Sequence, residues 1–161
     1  AGEAMKHEVY PHPIAFNLLP QIGSVKDDSG ETTEEVKMRR ETHKILGDSS
    51  IRVSTTCVRV PVFNGHSESL NVEFEKPLSV EQARDAISKA EGVKLVDDLK
   101  KGIYPMPVDC SGKFEVLVGR IRKDVSVDNG LVLFAAGDNI WKGAALNAIQ
   151  IAEKMIEMGL R

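Results

Sequence analysis

Two apolar stretches in the C-terminal half, FEVLVGRIR at residues 114–122 and GLVLFAAG at residues 130–137, decide the fold of this chain. Both are short and rich in β-branched and other apolar residues, and an Asp-Asn-Gly turn at residues 128–130 lies between them. Runs of this length that end at glycine-containing turns are typical of β-strands. The sequence therefore predicts strands over 114–122 and 130–137 that meet at this turn.

Periodicity and capping signals predict the remaining elements. Thr32 and Ser79 each stand three residues before a Glu or Gln, which is the spacing of a helix-capping box. The further predictions are a pair of strands over 51–60 and 67–76 joined by an Asn64-Gly65 turn, mostly irregular chain over 8–30, and helices over about 32–46, 80–91 and 139–158. Strands with helices inserted irregularly favour an α+β fold over a doubly wound one, with a mixed or mostly antiparallel sheet and helices on one face.

The composition is that of an ordinary globular protein and argues against several functional classes. The chain has 161 residues, of which 42% are hydrophobic and 28% charged, and a net charge of −3. This length suits one compact domain, and a weakly acidic chain is not attracted to nucleic acid or to an anionic membrane. Since no apolar run approaches the roughly 20 residues of a membrane span, we expect a cytoplasmic protein. Small molecules or other proteins are the expected partners.

The two cysteines, Cys57 and Cys110, indicate neither a disulfide framework nor a metal site, because neither has a second cysteine at a CxxC spacing. We expect both to be reduced, and we interpret each as a buried or incidental thiol. The sequence also contains no GxGxxG, P-loop or HExxH motif. No metal is predicted.

Two residues near the centre of the chain suggest chemistry that packing alone does not require. Arg59 lies inside an apolar, β-rich run, and His66 follows the Asn64-Gly65 turn. A guanidinium can hold a carboxylate through two parallel hydrogen bonds, and an imidazole titrates near neutral pH. The alternatives stay open, because an Arg before a proline can extend its charge to solvent and a lone His at a turn is often a surface residue.

The first predicted helix carries charge where a core helix would carry apolar residues. Glu34, Lys37 and Glu41 fall on one face and can present alternating charge to a ligand. A solvated helix stabilised by ion pairs between successive turns is the competing interpretation.

Both ends of the chain point to a larger protein. The sequence begins AGEAM without an initiator Met, and we expect a fragment or a processed product. The predicted C-terminal helix is apolar around most of its circumference, from Trp141 to Met158. One modest domain can hardly bury such a helix on several sides, so we expect a surface outside this chain to cover it.

Three motifs, in this order and with these separations, resemble the C-terminal half of aspartate-β-semialdehyde dehydrogenases: EEVKMRRETHKILG, CVRVPVFNGHSE and GDNIWKGAALNAIQIAE. The loop YPHPIAFN is also similar, so the resemblance covers essentially the whole chain. It implies a substrate-binding and dimerisation domain over 1–138 and a C-terminal helix over 139–161 that packs on a nucleotide domain. It also implies that the nucleotide domain and the catalytic cysteine lie upstream of residue 1.

The resemblance implies an NADP-dependent oxidoreductase that reductively dephosphorylates β-aspartyl phosphate to aspartate β-semialdehyde, in the biosynthesis of lysine, threonine and methionine. His66 matches the general acid/base of the family. Arg59 matches the residue that binds the substrate carboxylate, Glu34 the one that pairs with its ammonium group, and Lys37 the one that helps bind phosphate.

Asn139 matches a position where family members place an amide near the nicotinamide and the catalytic sulfur, although some members have Gln there. Asn147, in the middle of an apolar helix, is a second candidate on the cofactor side. The resemblance implies that NADP is bound mainly by the nucleotide domain, that the chain forms a homodimer, and that it is inactive alone. One alternative is a related N-acetylglutamyl-phosphate reductase, against which Glu34 argues because an acetylated amine carries no charge. The other is a dimerisation module without catalysis.

Overall fold

The computed structural model describes residues 8–25 and 27–160 of the chain. Within it, contacts group the residues into two compact units, Ala1–Pro61 and Val62–Arg161. The first unit contains the helix that follows Thr32, and the second unit contains the β-sheet.

The first unit contains the long helix α1 (Thr33–Leu46), which confirms the prediction of 32–46. Its capping box is complete, because the Thr32 side chain accepts from the Glu35 N–H and the Glu35 carboxylate accepts from the Thr32 N–H. Gly47 ends the helix in the left-handed conformation, with φ of 67°. The buried Glu35 carboxylate also accepts from the N–H of Cys57, at 2.9 Å, and so ties the helix to the segment after it.

The predicted strand over 51–60 is not part of the sheet. Its side chains alternate between half-buried and exposed, as β-branched residues favour, but its backbone forms no ladder with any described residue. One isolated antiparallel bridge joins Leu19 to Arg59. The expected pairing with 67–76 was wrong because those residues pair with another strand, while Glu35 accepts one of the N–H groups of this segment.

The second unit contains a four-stranded mixed sheet in the order β1-β4-β3-β2. The β3–β4 hairpin is antiparallel, as predicted, β1 pairs antiparallel with β4, and β2 runs parallel to β3. The strands are β1 (His66–Glu73), β2 (Val93–Leu95), β3 (Val116–Lys123) and β4 (Gly130–Gly137). The sequence did not predict β2, which is only three residues long.

Three α-helices accompany the sheet in the described part of the chain. They are α2 (Val80–Lys89), which begins at the predicted Ser79 capping box, the short α3 (Pro107–Cys110), which was not predicted, and α4 (Leu146–Glu157). A turn of π-helix, Trp141–Ala145, leads into α4, and together they occupy most of the predicted 139–158 helix. A short 3-10 helix spans Leu99–Lys101.

The core lies on both faces of the sheet. On one face α2 contributes Ala83, which packs with Ile121 and Leu131. Leu131 and Ala136 are five residues apart on β4, so their side chains point to opposite faces. The opposite face carries the second cluster, in which Cys110 from α3 packs with Ala136.

A β-bulge interrupts β3 between Gly119 and Arg122, where three steps along β3 oppose two steps along β4. Arg120 has a left-handed backbone, with φ of 58°. The Asp97 carboxylate fixes the bulge by accepting from the N–H groups of Arg120 at 2.9 Å and Ile121 at 3.2 Å. Gly119 allows a close approach, since an added Cβ would lie 2.0 Å from a backbone oxygen.

Candidate active site

His66 is the first residue of β1 and lies opposite Gly137, the last residue of β4. Its side chain is exposed. Throughout residues 8–25 and 27–160, the imidazole forms no hydrogen bond and no ion pair. The direction in which the ring points is therefore set by the backbone that carries it.

That backbone is an unusually constrained turn. Gly65 has φ of 96°, a conformation that residues with a Cβ rarely adopt. A Cβ on Gly65 would lie 3.3 Å from the Cys110 sulfur and 3.4 Å from the Gly137 oxygen, so α3 and the end of β4 close around the turn. The Gly65 N–H donates to Oδ1 of Asn139 at 2.8 Å. Asn139 therefore holds the turn that precedes His66.

Asp138 is the polar centre of this end of the sheet and is only 2% exposed. Its Oδ2 accepts from the Gly112 N–H at 2.7 Å and from Nδ2 of Asn64 at 3.2 Å. Its Oδ1 accepts from the N–H groups of Ile140 at 2.8 Å and Trp141 at 3.1 Å. The three backbone N–H bonds, that of Gly112 first, lower the pKa of Asp138 and keep it ionised. Sequence reasoning missed Asp138; its place between an apolar strand and a helix, where a capping Asp is common, was the available signal.

Cys110 is a packing residue and not a nucleophile. It is fully buried, and its thiol donates to the Pro107 carbonyl at 3.2 Å. Burial, together with the negative charge of Asp138, raises the pKa of the thiol. A thiol held protonated in this way is unreactive, which agrees with the interpretation from sequence.

Arg59 lies in the first unit and is anchored through its backbone. Its N–H and C=O both bond to Leu19, at 2.9 Å each. Its guanidinium carbon lies 4.9 Å from the centre of the Tyr10 ring, the geometry of a cation–π contact. Arg59 is half-buried, and the Tyr10 ring supports one face of its guanidinium.

Glu34 and Lys37 form an ion pair on α1, with 3.0 Å between Lys37 Nζ and Glu34 Oε1. The hydrogen bond from Lys37 and the charge of Glu34 raise the pKa of Lys37. Both groups stay accessible, with the Lys37 side chain 51% and the Glu34 side chain 35% exposed. The pair is therefore held together weakly and can exchange partners with a ligand.

The structure brings the predicted site residues together in two groups, one in each unit. Glu34, Lys37 and Arg59 belong to the first unit. His66 and Asn139 belong to the second, where Asn139 accepts a hydrogen bond from Gly65, the residue before His66. Asn147 is exposed on α4.

The apolar residues of α4 remain exposed, including Ile149, Ile151 and Ile156. None of the helices in the described ranges is long and apolar enough to cross a membrane. In the same ranges, His, Cys, Asp and Glu side chains form no group that could hold a metal ion.

Comparisons with known proteins agree on one family. Residues 1–142 match the family model described as semialdehyde dehydrogenase, dimerisation domain. The chain is 51% identical over 158 residues to aspartate-semialdehyde dehydrogenase of Synechocystis, covering 98% of the chain and 46% of that protein. The chain thus spans about half the length of the curated relatives it matches.

Solved structures are similar over the same span. Aspartate semialdehyde dehydrogenase II from Vibrio cholerae, in a structure complexed with ASA, is 44% identical with a TM-score of 0.89, over 94% of this chain and 44% of that one. A Candida albicans aspartate semialdehyde dehydrogenase, solved with NADP, is 29% identical with a TM-score of 0.70, over 88% of this chain and 45% of that one. The α+β fold described above is accordingly that of this family's dimerisation domain, and the chain belongs to the semialdehyde dehydrogenase family, whose dimerisation domain it contains.

Proposed function

We propose that this chain is the substrate-binding and catalytic half of an aspartate-semialdehyde dehydrogenase, an oxidoreductase that reductively dephosphorylates β-aspartyl phosphate to aspartate β-semialdehyde with NADPH. The observation that carries the proposal is the match to the Vibrio cholerae structure complexed with ASA, at 44% identity and a TM-score of 0.89. The reaction would serve the biosynthesis of lysine, threonine and methionine.

Substrate binding falls to the first unit in this proposal. The Arg59 guanidinium, supported by the Tyr10 ring, binds the α-carboxylate through its planar pair of N–H donors. Glu34 binds the α-ammonium group and Lys37 the phosphate. Without ligand, Glu34 and Lys37 form an ion pair with each other. When the reactants bind, the ammonium group replaces Lys37 as the partner of Glu34, and the phosphate replaces Glu34 as the partner of Lys37.

His66 acts as the general acid/base. Its exposed ring, on a turn fixed by Gly65 and Asn139, can move a proton at the substrate carbonyl oxygen or at the attacking thiol. Neither cysteine of the chain is assigned as that thiol, since Cys110 is buried with a raised pKa and Cys57 lies on the first unit beside Glu35. We therefore assign the attacking thiol to a part of the enzyme other than residues 1–161. The nucleotide domain also lies outside this chain, and residues 139–161 pack against it in this proposal.

The cofactor would touch this chain at few points. NADPH supplies the hydride when bound. The Asn139 amide is half-buried, and while its Oδ1 accepts from Gly65, its Nδ2 donates to no acceptor in the described ranges and fits a carboxamide acceptor. Asn147, exposed on α4, offers a second amide.

A homodimer through the sheet completes the proposal. Strand β1 is an edge strand with a largely exposed surface, and the family model is that of a dimerisation domain. An obligate interface of this kind would bury more than about 2,000 Å². Sedimentation equilibrium at micromolar concentration should give twice 17.6 kDa. A monomer would contradict the dimer.

The activity is tested in a chimera of the Synechocystis relative whose matching C-terminal segment is replaced by residues 1–161. We expect phosphate-dependent reduction of NADP⁺ with aspartate β-semialdehyde. N-acetylglutamate semialdehyde serves as the competing substrate and should not react. A folded chimera that binds NADP⁺ but oxidises only the acetylated substrate, or neither, would refute the proposal. The unmodified 161-residue chain is the negative control.

A further inference from the structure

We propose that Asp138 is a positioning residue for His66, a buried carboxylate whose hydrogen bonds hold the turn that aims the imidazole. The inference concerns the same site as the proposed function and rests on it for the kinetic readout only.

The sheet connects the two residues directly. His66 opens β1 opposite Gly137, and Asp138 is the next residue after Gly137. Its carboxylate reaches back to Nδ2 of Asn64, two residues before His66, at 3.2 Å. The adjacent Asn139 accepts from the Gly65 N–H at 2.8 Å. The residues before His66 are thus held by side chains that follow β4.

The carboxylate joins chain segments that are distant in sequence. Its four donors come from the turn at Asn64, from Gly112 after α3, and from Ile140 and Trp141 at the start of the C-terminal helix. All four are donors, so the side chain must accept on both oxygens. An ionised Asp does this, whereas an Asn amide would direct an N–H₂ group at two of the donors.

This arrangement is needed because the His66 ring is otherwise unsupported. It has no hydrogen-bond partner among the described residues, so its placement follows the backbone alone. A general acid/base is sensitive to displacements of about 1 Å, which can lower turnover by roughly 100-fold. Loss of the Asp138 contacts would release the turn that sets this placement.

Asp124 offers a matched control. It is also buried, and its carboxylate accepts from the Ser126 N–H at 2.9 Å, the Ser126 hydroxyl at 2.6 Å and Nδ2 of Asn71 at 2.7 Å. It lies beside the other end of β4, since its N–H donates to Gly130 O. Asp124→Asn removes the same kind of carboxylate roughly 17–24 Å from His66, since its partners Asn71 and Gly130 lie five and seven strand positions away.

The first measurement uses the full 161-residue chain and needs no activity. The ring signal of His66 is followed by NMR and assigned by its loss in His66→Ala. Asp138→Asn should broaden or split this signal and leave that of His43, whose ring bonds to the Ile51 carbonyl, unchanged. Asp124→Asn should change neither. An unchanged His66 signal in folded Asp138→Asn would overturn the proposal.

The second measurement uses the chimera. We expect Asp138→Asn to lower kcat by about 10- to 100-fold while KM for the semialdehyde stays within about threefold, and Asp124→Asn to leave kcat within about twofold. Equal losses of kcat in the two variants, or a loss of thermal stability alone in Asp138→Asn, would overturn it. If Asp138→Asn does not fold, Asn64→Ala removes one bond only and should give the same signature at about 3- to 10-fold. An unmodified chimera without activity would refute the proposed function, and the NMR result would still decide the role of Asp138.

Discussion

A buried aspartate lies beside each end of strand β4, and the two differ in where their hydrogen-bond donors come from. Asp124 accepts from Ser126, two residues away, and from Asn71 on β1. It closes the β3–β4 turn. Asp138 accepts from donors 2, 3, 26 and 74 residues away, and so fixes three separate segments beside His66.

The difference shows that a buried carboxylate does not reveal its role by its chemistry alone. Both residues are ionised, nearly inaccessible and satisfied by three or four donors. A carboxylate that bonds mainly within its own turn contributes stability to that turn. One that bonds to distant segments determines how those segments meet, and at this end of the sheet they meet at the candidate general acid/base.

The largest effect is expected from removing His66, the residue that Asp138 is inferred to position. In the chimera, His66→Ala should lower turnover by roughly 10²- to 10⁴-fold, because a positioned acid/base contributes about that much. Steady-state kinetics with saturating substrate measure the change. Adding Asp138→Asn to His66→Ala should cost little more, since there is no ring left to position. Independent, multiplying losses would break the link between the two residues.

A smaller effect is expected at the turn itself. Gly65→Ala forces a Cβ to within 3.3 Å of the Cys110 sulfur at φ of 96°, so the turn must shift and turnover should fall by about 10-fold or more. Gly102→Ala is the matched control, with φ of 68° and no atom within 4 Å of the added carbon.

Both substitutions should cost about 1 kcal/mol of unfolding free energy from the left-handed backbone, measured by urea unfolding. Only Gly65→Ala should affect kcat. A control that lowered kcat equally would mean that stability, and not the geometry of the His66 turn, limits activity.

The acid dependence of stability reports on the Asp124 carboxylate. Bonds from Ser126 first, and then Asn71, lower the pKa of Asp124 to about 2. Its folded pKa lies below the unfolded value, so its stabilising contribution is complete above about pH 4 and is lost as the pH falls towards 2. Asp124→Asn should melt several degrees below the unmodified chain at pH 6, and the gap should narrow on acidification. Melting curves from pH 6 to pH 2 that keep a constant gap would contradict this.

The smallest effect is expected from the local ion pair on α1. Glu34 and Lys37 are three residues apart and exposed, so separating them costs little. If the semialdehyde ammonium takes Glu34, Lys37 is released for phosphate, and the chimera should bind phosphate about 1.5- to 5-fold tighter with semialdehyde present. Calorimetric titration with and without semialdehyde measures this coupling. Glu34→Gln should abolish it, and coupling that persists in this variant would have another origin.

The sequence predicted those helices and strands whose ends are marked by neighbouring residues, such as a capping box or a turn. The capping boxes at Thr32 and Ser79 place α1 and α2, and the turn at 128–130 joins β3 and β4. The segment 51–60 was misassigned because β-branched residues favour extended backbone without specifying a partner strand. Which strand pairs with β1 depends on contacts between residues far apart in sequence, and no local pattern encodes them.

Part of the candidate site could likewise be predicted from the sequence. His66 and Arg59 stand out because their residue types do not suit an apolar run, and the family motifs assign them roles. Asp138 does not stand out, since an aspartate after a strand is ordinary, and its importance depends on Asn64 and Gly112 reaching it in the fold. Asp138 could not be predicted because these donors lie 74 and 26 residues away from it along the chain.

The bulge in β3 also determines where the chain can change length during evolution. Because Arg120 is the extra residue between Gly119 and Ile121, a deletion there would leave the pairing on both sides in register and keep Ile121 on the face of Leu131. Deletion of Val118 instead would turn Leu117 away from Ala136 and out of its cluster. Length variants of this domain should therefore carry their gap at Arg120, where a deletion removes the N–H bond to Asp97 and the bond that the Arg120 carbonyl accepts from the Arg122 guanidinium, but no pair of the β3–β4 ladder.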